Sequence, residues 1–331
     1  MSNALITGGT GFLGKRLAYR LLELGWIVTA FGRNETIGKQ LHHDGIRFVR
    51  GDLRNREQVM KACTSQDIVF HCGALSSPWG VYSDFYGCNV AGTNHIVEGC
   101  FTHHVNKLVH VSTPSIYFDY TDRFQISEAS PLPNKPVNHY AATKRLAERI
   151  VANAHSKGLP SIMIRPRAIF GPGDTTLLPR LIRANHHRGI PLFRNGSITM
   201  DLTYVDNVVD ALLLCADAPH SAMGLAYNIT NQEPVNFKNA LTQLFSGINQ
   251  RLNVLNLPYA AVYGLAVSME LKARLLRSQT EPLLTRYSVG VLGKHQTLDN
   301  TLARENLGYS PKVGVDEGIR RFADWWKQHE S

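Results

Sequence analysis

The chain opens on a short apolar run, Ala4-Leu5-Ile6-Thr7, that passes directly into Gly8-Gly9-Thr10-Gly11-Phe12-Leu13-Gly14. Behind the glycines, Leu17, Leu21 and Leu22 recur at helical spacing between Lys15, Arg16, Arg20 and Glu23. These patterns predict a strand, a tight turn and an amphipathic helix. Further apolar runs predict strands at residues 26–31, 46–49, 67–71, 107–111 and 161–164, separated by stretches of helical character. Strands spaced by helices and apolar on both flanks form a parallel sheet covered on two faces. The Pro/Gly-rich segment 166–172 leaves that sheet, and the pattern changes after it. A helix is expected at 177–187, a short strand at 201–205, a helix at 206–215, short helices and loops from Pro234, and an amphipathic helix at 315–329.

The expected fold class is therefore α/β, a Rossmann-type doubly wound parallel sheet with a smaller, interleaved C-terminal substrate lobe. Residues 1–172 and 199–230 are assigned to the dinucleotide-binding part, and 173–198 and 231–331 to the lobe. Glycines at 8, 11 and 14 let the backbone turn sharply and approach a pyrophosphate, which the N–H groups and dipole at the helix start attract. Thr10, Phe12 and Leu13 complete that cradle.

A chain of 331 residues, 44% of them hydrophobic, can bury a large core and a second lobe. Its formal charge of +9 suits an anionic ligand, but the Lys and Arg are scattered and no basic stripe carries interleaved aromatics, which argues against nucleic acid. Cys63, Cys72, Cys88, Cys100 and Cys215 form no C-x-x-C pair and read as core thiols in a reducing compartment. The first residues lack the features of a signal peptide, so a cytoplasmic location is expected. The apolar stretch 254–269, broken by Asn256 and Pro258, reads as a core or lid helix, with peripheral membrane contact as the alternative. Histidine pairs at 42–43, 103–104 and 186–187 come without a ligand cluster, and no metal is expected.

At the end of the second strand the sequence reads Phe31-Gly32-Arg33-Asn34. No carboxylate stands where a ribose 2′-hydroxyl is usually bound, and Arg33 can face a 2′-phosphate, so NADP(H) is favoured; Glu35 keeps NAD(H) open. Asp52 and Leu53 are placed against the adenine, and Ala74, Pro166 and Ile169 join the cofactor set. Tyr140 and Lys144, four apart on one helix face, follow Ser112-Thr113 at the rim of the sheet. Hydride transfer to a ketone develops charge on oxygen, which a phenol can quench by donating its proton. Lys144 would lower the Tyr140 pKa and bond the nicotinamide ribose, and Thr113 would hold the carbonyl oxygen. Ser76, Trp79, Pro114, Ser115, His139, Arg167, Phe170 and Tyr204 are candidates for the substrate pocket. Arg167 is suited to a substrate carboxylate.

These motifs, T-G-G-x-G-F-L-G, G-D-L at 51–53, Y-x-x-x-K at 140–144 and R-P-x-x-I-x-G-P-G-D at 165–174, resemble the extended short-chain dehydrogenase/reductase family over nearly the whole chain. The resemblance makes Thr113, Tyr140 and Lys144 the catalytic triad and Asn89 the asparagine that organises the site. Ser112-Thr113-Pro114-Ser115, 177–181, 203–207 and 282–287 are most similar to the 3β-hydroxysteroid dehydrogenase-like branch, which includes 2-alkyl-3-oxoalkanoate reductases. It implies a homodimer and ketone–alcohol exchange on a small hydrophobic carbonyl or alcohol substrate, steroid-like or 2-alkyl-3-oxoacyl. Nucleotide-sugar epimerisation and catalytically silent NAD(P) sensing are the alternatives. Pro114 and Ser115 stand where sugar-nucleotide dehydratases carry an Asp-Glu pair, which removes the acid and base of that elimination.

Overall fold

The protein is described by a computed structural model that covers residues 2–276, 278 and 280–329. Seven parallel strands form the main sheet: Asn3–Thr7, Ile27–Gly32, Arg47–Arg50, Ile68–His71, Lys107–Val111, Ser161–Pro166 and Ala226–Ile229. Counted along the chain, they lie in the order 3-2-1-4-5-6-7. The order reverses beside the first strand, where Thr7 pairs with Phe31 on one side and His71 on the other. A crevice outside the carboxyl ends of the strands opens at this point, which is where such sheets bind ligands.

Helices cover both faces because their apolar stripes match the sheet. Leu17, Ala18 and Leu21 of Phe12–Glu23 and Val208, Ala211 and Leu212 of Val205–Asp217 share one buried cluster with Ile6, Phe70 and Ile164. On the other face Ile96 and Cys100 of Gly92–Thr102 and Val151 of His139–Ser156 pack with Leu5, Val69 and Leu108. Arg165 ties the last of these helices to the sheet, donating from Nε and Nη2 to the Glu148 carboxylate at 2.8 and 2.7 Å and from Nη1 to the Tyr117 hydroxyl. Its burial is tolerable because both carboxylate oxygens and the guanidinium fork are matched.

Three features extend the expected outline. Ala226–Ile229 adds a seventh strand beside Ser161–Pro166. A second, four-stranded sheet brings Arg123–Ile126 next to Gln296–Leu298, followed by Thr199–Met200 and Val235–Asn236. The short strand foreseen at 201–205 reduces to Thr203–Tyr204, paired with Ile169–Phe170. The lobe core gathers Phe170, Ile182, Leu241, Phe245, Ile319 and Phe322.

The apolar stretch at 254–269 is divided at its proline. Val254–Asn256 pairs with Ile190–Leu192, and a helix begins at Tyr259 and runs to Leu275. Val262 and Ala266 of that helix are buried, whereas Leu265, Leu271 and Leu275 are exposed. No described helix is long and apolar enough to cross a membrane.

Candidate active site

The turn after the first strand is shaped by what its glycines lack. Gly8 has φ +67°, and a Cβ there would come within 2.8 Å of the Gly73 backbone. A Cβ on Gly14 would stand 2.3 Å from the Gly8 carbonyl oxygen, whereas one on Gly11 would meet only that oxygen, at 3.2 Å. Gly11 N donates to this same carbonyl at 2.8 Å. The bare backbone curls under the start of Phe12–Glu23, as a dinucleotide pyrophosphate requires. The cradle opens into a cleft of about 1030 Å³, lined also by Thr10, Phe12, Leu13, Arg33, Asp52, Leu53, Ala74, Pro166 and Ile169. This volume accommodates a cofactor and a second molecule.

At the adenine end, the Asp52 carboxylate accepts from Arg54 Nε at 3.0 Å and Nη2 at 2.7 Å, and these bonds hold it below the usual carboxylate range. The Arg33 charge acts on the same carboxylate. Glu35 is turned outward to Arg50 and Lys39.

At the other end, Thr113 closes the strand Lys107–Val111 and caps the turn Pro114–Tyr117, its Oγ1 accepting from Ser115 N at 3.2 Å. That hydroxyl donates to Ser115 Oγ at 3.0 Å, and Ser115 Oγ meets the Tyr287 hydroxyl at 2.8 Å. Tyr140 sits in the first turn of His139–Ser156, which Asn138 caps by accepting from Ala141 N at 2.8 Å. Burial pushes the Tyr140 phenol up to about 12, and the facing Thr113 hydroxyl pulls it back. Lys144, only 2% exposed, lies behind the cleft. It donates to the Val111 carbonyl at 2.7 Å and to His110 Nε2 at 3.0 Å, while burial holds its ammonium down to about 8. The expected pull of Lys144 on the Tyr140 pKa is not found in this arrangement: desolvation dominates, and Lys144 is directed to His110.

Asn89 lies in a π-bulge, Tyr86–Ala91, and its amide reaches the helix His139–Ser156. It accepts from Leu75 N at 2.7 Å and donates to the Leu75 carbonyl and to Thr143 Oγ1, both at 3.0 Å. Thr93 spends its one proton on the Asn89 carbonyl and must therefore accept from His71 Nε2. His71 Nδ1 in turn accepts from Thr7, whose Oγ1 also receives Gly73 N. A single chain of hydrogen bonds thus joins the cofactor loop to the helix that carries Tyr140.

Of the candidates for the substrate pocket, Ser76, Pro114, Ser115 and Arg167 line the cleft. Trp79 lies off its wall, donating to the Ser278 carbonyl at 3.3 Å, and His139 packs against Tyr82 and Phe85. Phe170 and Tyr204 are an edge-to-face pair in the lobe core, 5.8 Å between centroids. Sequence reasoning did not single out Tyr287, His110, Asp201 or the apolar wall that includes Leu181, Leu241, Leu244, Leu284 and Leu292. The late motif 282–287 was the available signal for Tyr287.

Asp201 is buried, accepts from Leu298 N at 2.7 Å through one oxygen and leaves the other unpartnered. Desolvation raises it from 3.8 to about 6. The folded state therefore binds this proton more tightly than the unfolded chain, so the group's contribution is greatest below pH 4 and is lost as pH rises toward 6. Asp201→Asn, which keeps the acceptor and removes the charge, is expected to raise stability at pH 8 by about 1–3 kcal/mol and to add little near pH 4. Urea unfolding at both pH values checks this, and an equal gain at both would refute it.

Residues 4–230 match the model of the NAD dependent epimerase/dehydratase family. The chain is 35% identical to YbjS of Escherichia coli, covering 98% of each, and 35% identical to 2-alkyl-3-oxoalkanoate reductase of Stenotrophomonas maltophilia, covering 96% of this chain and 97% of that one. It is 33% identical to sterol-4-alpha-carboxylate 3-dehydrogenase, decarboxylating, of Mus musculus, covering 96% and 88%. Among solved structures, MoeE5 in complex with UDP-glucose and NAD superposes with a TM-score of 0.79 at 24% identity, covering all of both chains. UDP-glucuronic acid 4-epimerase from Bacillus cereus in complex with NAD gives 0.77 at 21%, covering 98% and 96%. At these identities the structural likeness is one of fold.

Two expectations are corrected. The preference for NADP(H) gives way to NAD(H), since the matching family is described as NAD dependent and NAD is the dinucleotide in these structures. The small hydrophobic carbonyl or alcohol substrate gives way as well, because the structural neighbours bind UDP-glucose and UDP-glucuronic acid, and the cleft is large, with a buried guanidinium in its wall.

Proposed function

The chain belongs to the NAD dependent epimerase/dehydratase family, with sequence kinship to its 3β-hydroxysteroid dehydrogenase-like branch, and we propose that it interconverts a secondary alcohol and a ketone on an anionic substrate, with Tyr140 moving the proton. The observation supporting this reading is that Thr113 and Tyr140 face each other in the same cleft that the glycine cradle opens into, with Lys144 one turn further along the Tyr140 helix. The coarser chemistry, NAD-dependent oxidoreduction or epimerisation of a sugar or other small organic substrate, follows from the family. Bound NAD(H) supplies or accepts the hydride. Tyr140, kept protonated by its burial, gives its proton to the carbonyl oxygen in reduction and becomes the phenolate, and in oxidation that phenolate takes the alcohol proton. Thr113 orients that oxygen with its hydroxyl. Lys144, fixed by Val111 and His110, holds its place on the same helix behind the phenol.

Two substrate classes have separate support. The solved neighbours bind UDP-glucose and UDP-glucuronic acid, which favours a nucleotide sugar. The reductase relative at 35% identity favours a 3-oxo acid. UDP-glucuronate reacting at carbon 4, a 2-alkyl-3-oxoalkanoate and a sterol 4α-carboxylate reacting at carbon 3 share one feature: a carboxylate on the carbon next to the reacting one. The purified protein should be assayed with NAD⁺ and UDP-glucuronate for epimer formation, and with NADH and a 2-alkyl-3-oxo acid for loss of absorbance at 340 nm. Turnover of either is expected and identifies the class. No turnover of either, by protein shown to bind NAD, would overturn the reading.

A further inference from the structure

Arg167 immediately follows the strand Ser161–Pro166, where the chain leaves the main sheet. Two residues earlier, Arg165 is closed by Glu148 and Tyr117. Arg167 has no such closure. It is 6% exposed, it lines the cleft, and its Nε is buried without a hydrogen-bond partner. Desolvation pulls its pKa below the ordinary guanidinium value. Asp201 is the carboxylate whose charge acts on it among the described residues, yet the two form no ion pair and Asp201 keeps an oxygen unpartnered. An uncompensated buried guanidinium is costly unless an anion completes it.

Its position relative to the reacting groups follows from Tyr287. The Tyr287 phenol acts on both Arg167 and Tyr140, and through Ser115 it is hydrogen-bonded to Thr113. The guanidinium therefore shares one cleft with Thr113, Ser115, Tyr140 and Tyr287. Arg180, the other arginine on this part of the wall, is committed to Glu281 at 2.5 Å. One uncommitted positive charge, presented as a planar fork, pairs bidentately with a carboxylate and balances its single charge.

We propose that Arg167 is the receptor for a substrate carboxylate borne on the carbon next to the reacting one, and that it makes the enzyme selective for acids over their neutral counterparts. This inference rests on Tyr140 being the proton-transfer residue. Its test does not require turnover.

Binding to the NAD-loaded protein would be measured by titration calorimetry with two matched pairs: 3-hydroxydecanoate against its methyl ester, and UDP-glucuronate against UDP-glucose. Wild type is expected to prefer the acid about 10- to 100-fold in one pair, the strength of a charge-assisted bidentate bond, and that pair identifies the source of the carboxylate. R167M should bring the ratio close to one, with R167K in between. Equal affinity within both pairs in wild type, or a preference that survives in R167M, would overturn the proposal. Should R167M fail to fold, an R167K ratio equal to wild type overturns it, since a point charge cannot replace the fork. Acid selectivity lost in R167M together with normal turnover in Tyr140→Phe would reject the proton-transfer reading alone.

Discussion

Tyr140→Phe is expected to lower kcat by about 10²- to 10⁴-fold in either direction, the range that removal of a positioned acid–base group costs, while changing the affinity for NAD by no more than about twofold. The substitution deletes one oxygen. The ring stays in the first turn of His139–Ser156, and the Asn138 cap that sets that turn is untouched. Lys144 keeps both of its bonds, because they run to Val111 and His110 rather than to the phenol. The glycine cradle lies on a different element altogether. Steady-state kinetics paired with a fluorescence titration of NADH separates the two quantities. Loss of turnover with cofactor affinity retained supports the assignment, and unchanged kcat removes Tyr140 from the mechanism.

Gly14→Ala acts on the opposite end of the cleft and is expected to weaken NAD binding by about 10- to 100-fold and to destabilise the fold by about 1–3 kcal/mol or more. The new methyl would stand 2.3 Å from the Gly8 carbonyl oxygen and 2.8 Å from its carbon. Neither is the movable end of a side chain. Gly8 cannot retreat, since its own α-carbon already faces the Gly73 backbone and its φ of +67° is one that only glycine adopts without strain. The clash must open the turn, and with it the N–H groups that would meet the pyrophosphate. Gly264→Ala, at a position where an added Cβ meets nothing within 4 Å, is the control and should leave NAD binding unchanged. Thermal unfolding and cofactor titration of both variants decide the matter. Equal behaviour would show that the cradle tolerates a side chain.

The parallel sheet was legible because its central strands are continuous apolar runs with glycine punctuation, a pattern set by burial on both faces. Ala226–Ile229 was not, since four residues including Asn228 carry no periodicity; Asn228 is buried there because it donates to the Ile126 and Asp299 carbonyls. The two-residue strands of the smaller sheet are defined by their partners, which lie far away in sequence. In the site, local spacing identified the residues that sit at strand ends and on one helix turn. It could not say which way Phe170 and Tyr204 face; Phe170 turns into the lobe core and Tyr204 packs edge-on against it. Tyr287 reaches the cleft, and the Asp201 charge reaches Arg167, from distant parts of the chain, so no window of sequence contains their relation to Thr113 or Arg167.

The hydrogen-bond chain from Gly73 through Thr7, His71, Thr93 and Asn89 to Thr143 has a consequence for how the site moves. Burial holds the His71 imidazole down to about 3, and each of its nitrogens has a fixed part, one donating and one accepting. Acidification through the range in which histidines normally gain charge therefore leaves the wiring intact. A local opening at Gly73 must break into the same chain that seats the helix His139–Ser156. The segment at Gly73 and the helix that carries Tyr140 consequently form one hydrogen-bonded unit, and sequence changes at one end are expected to be felt at the other.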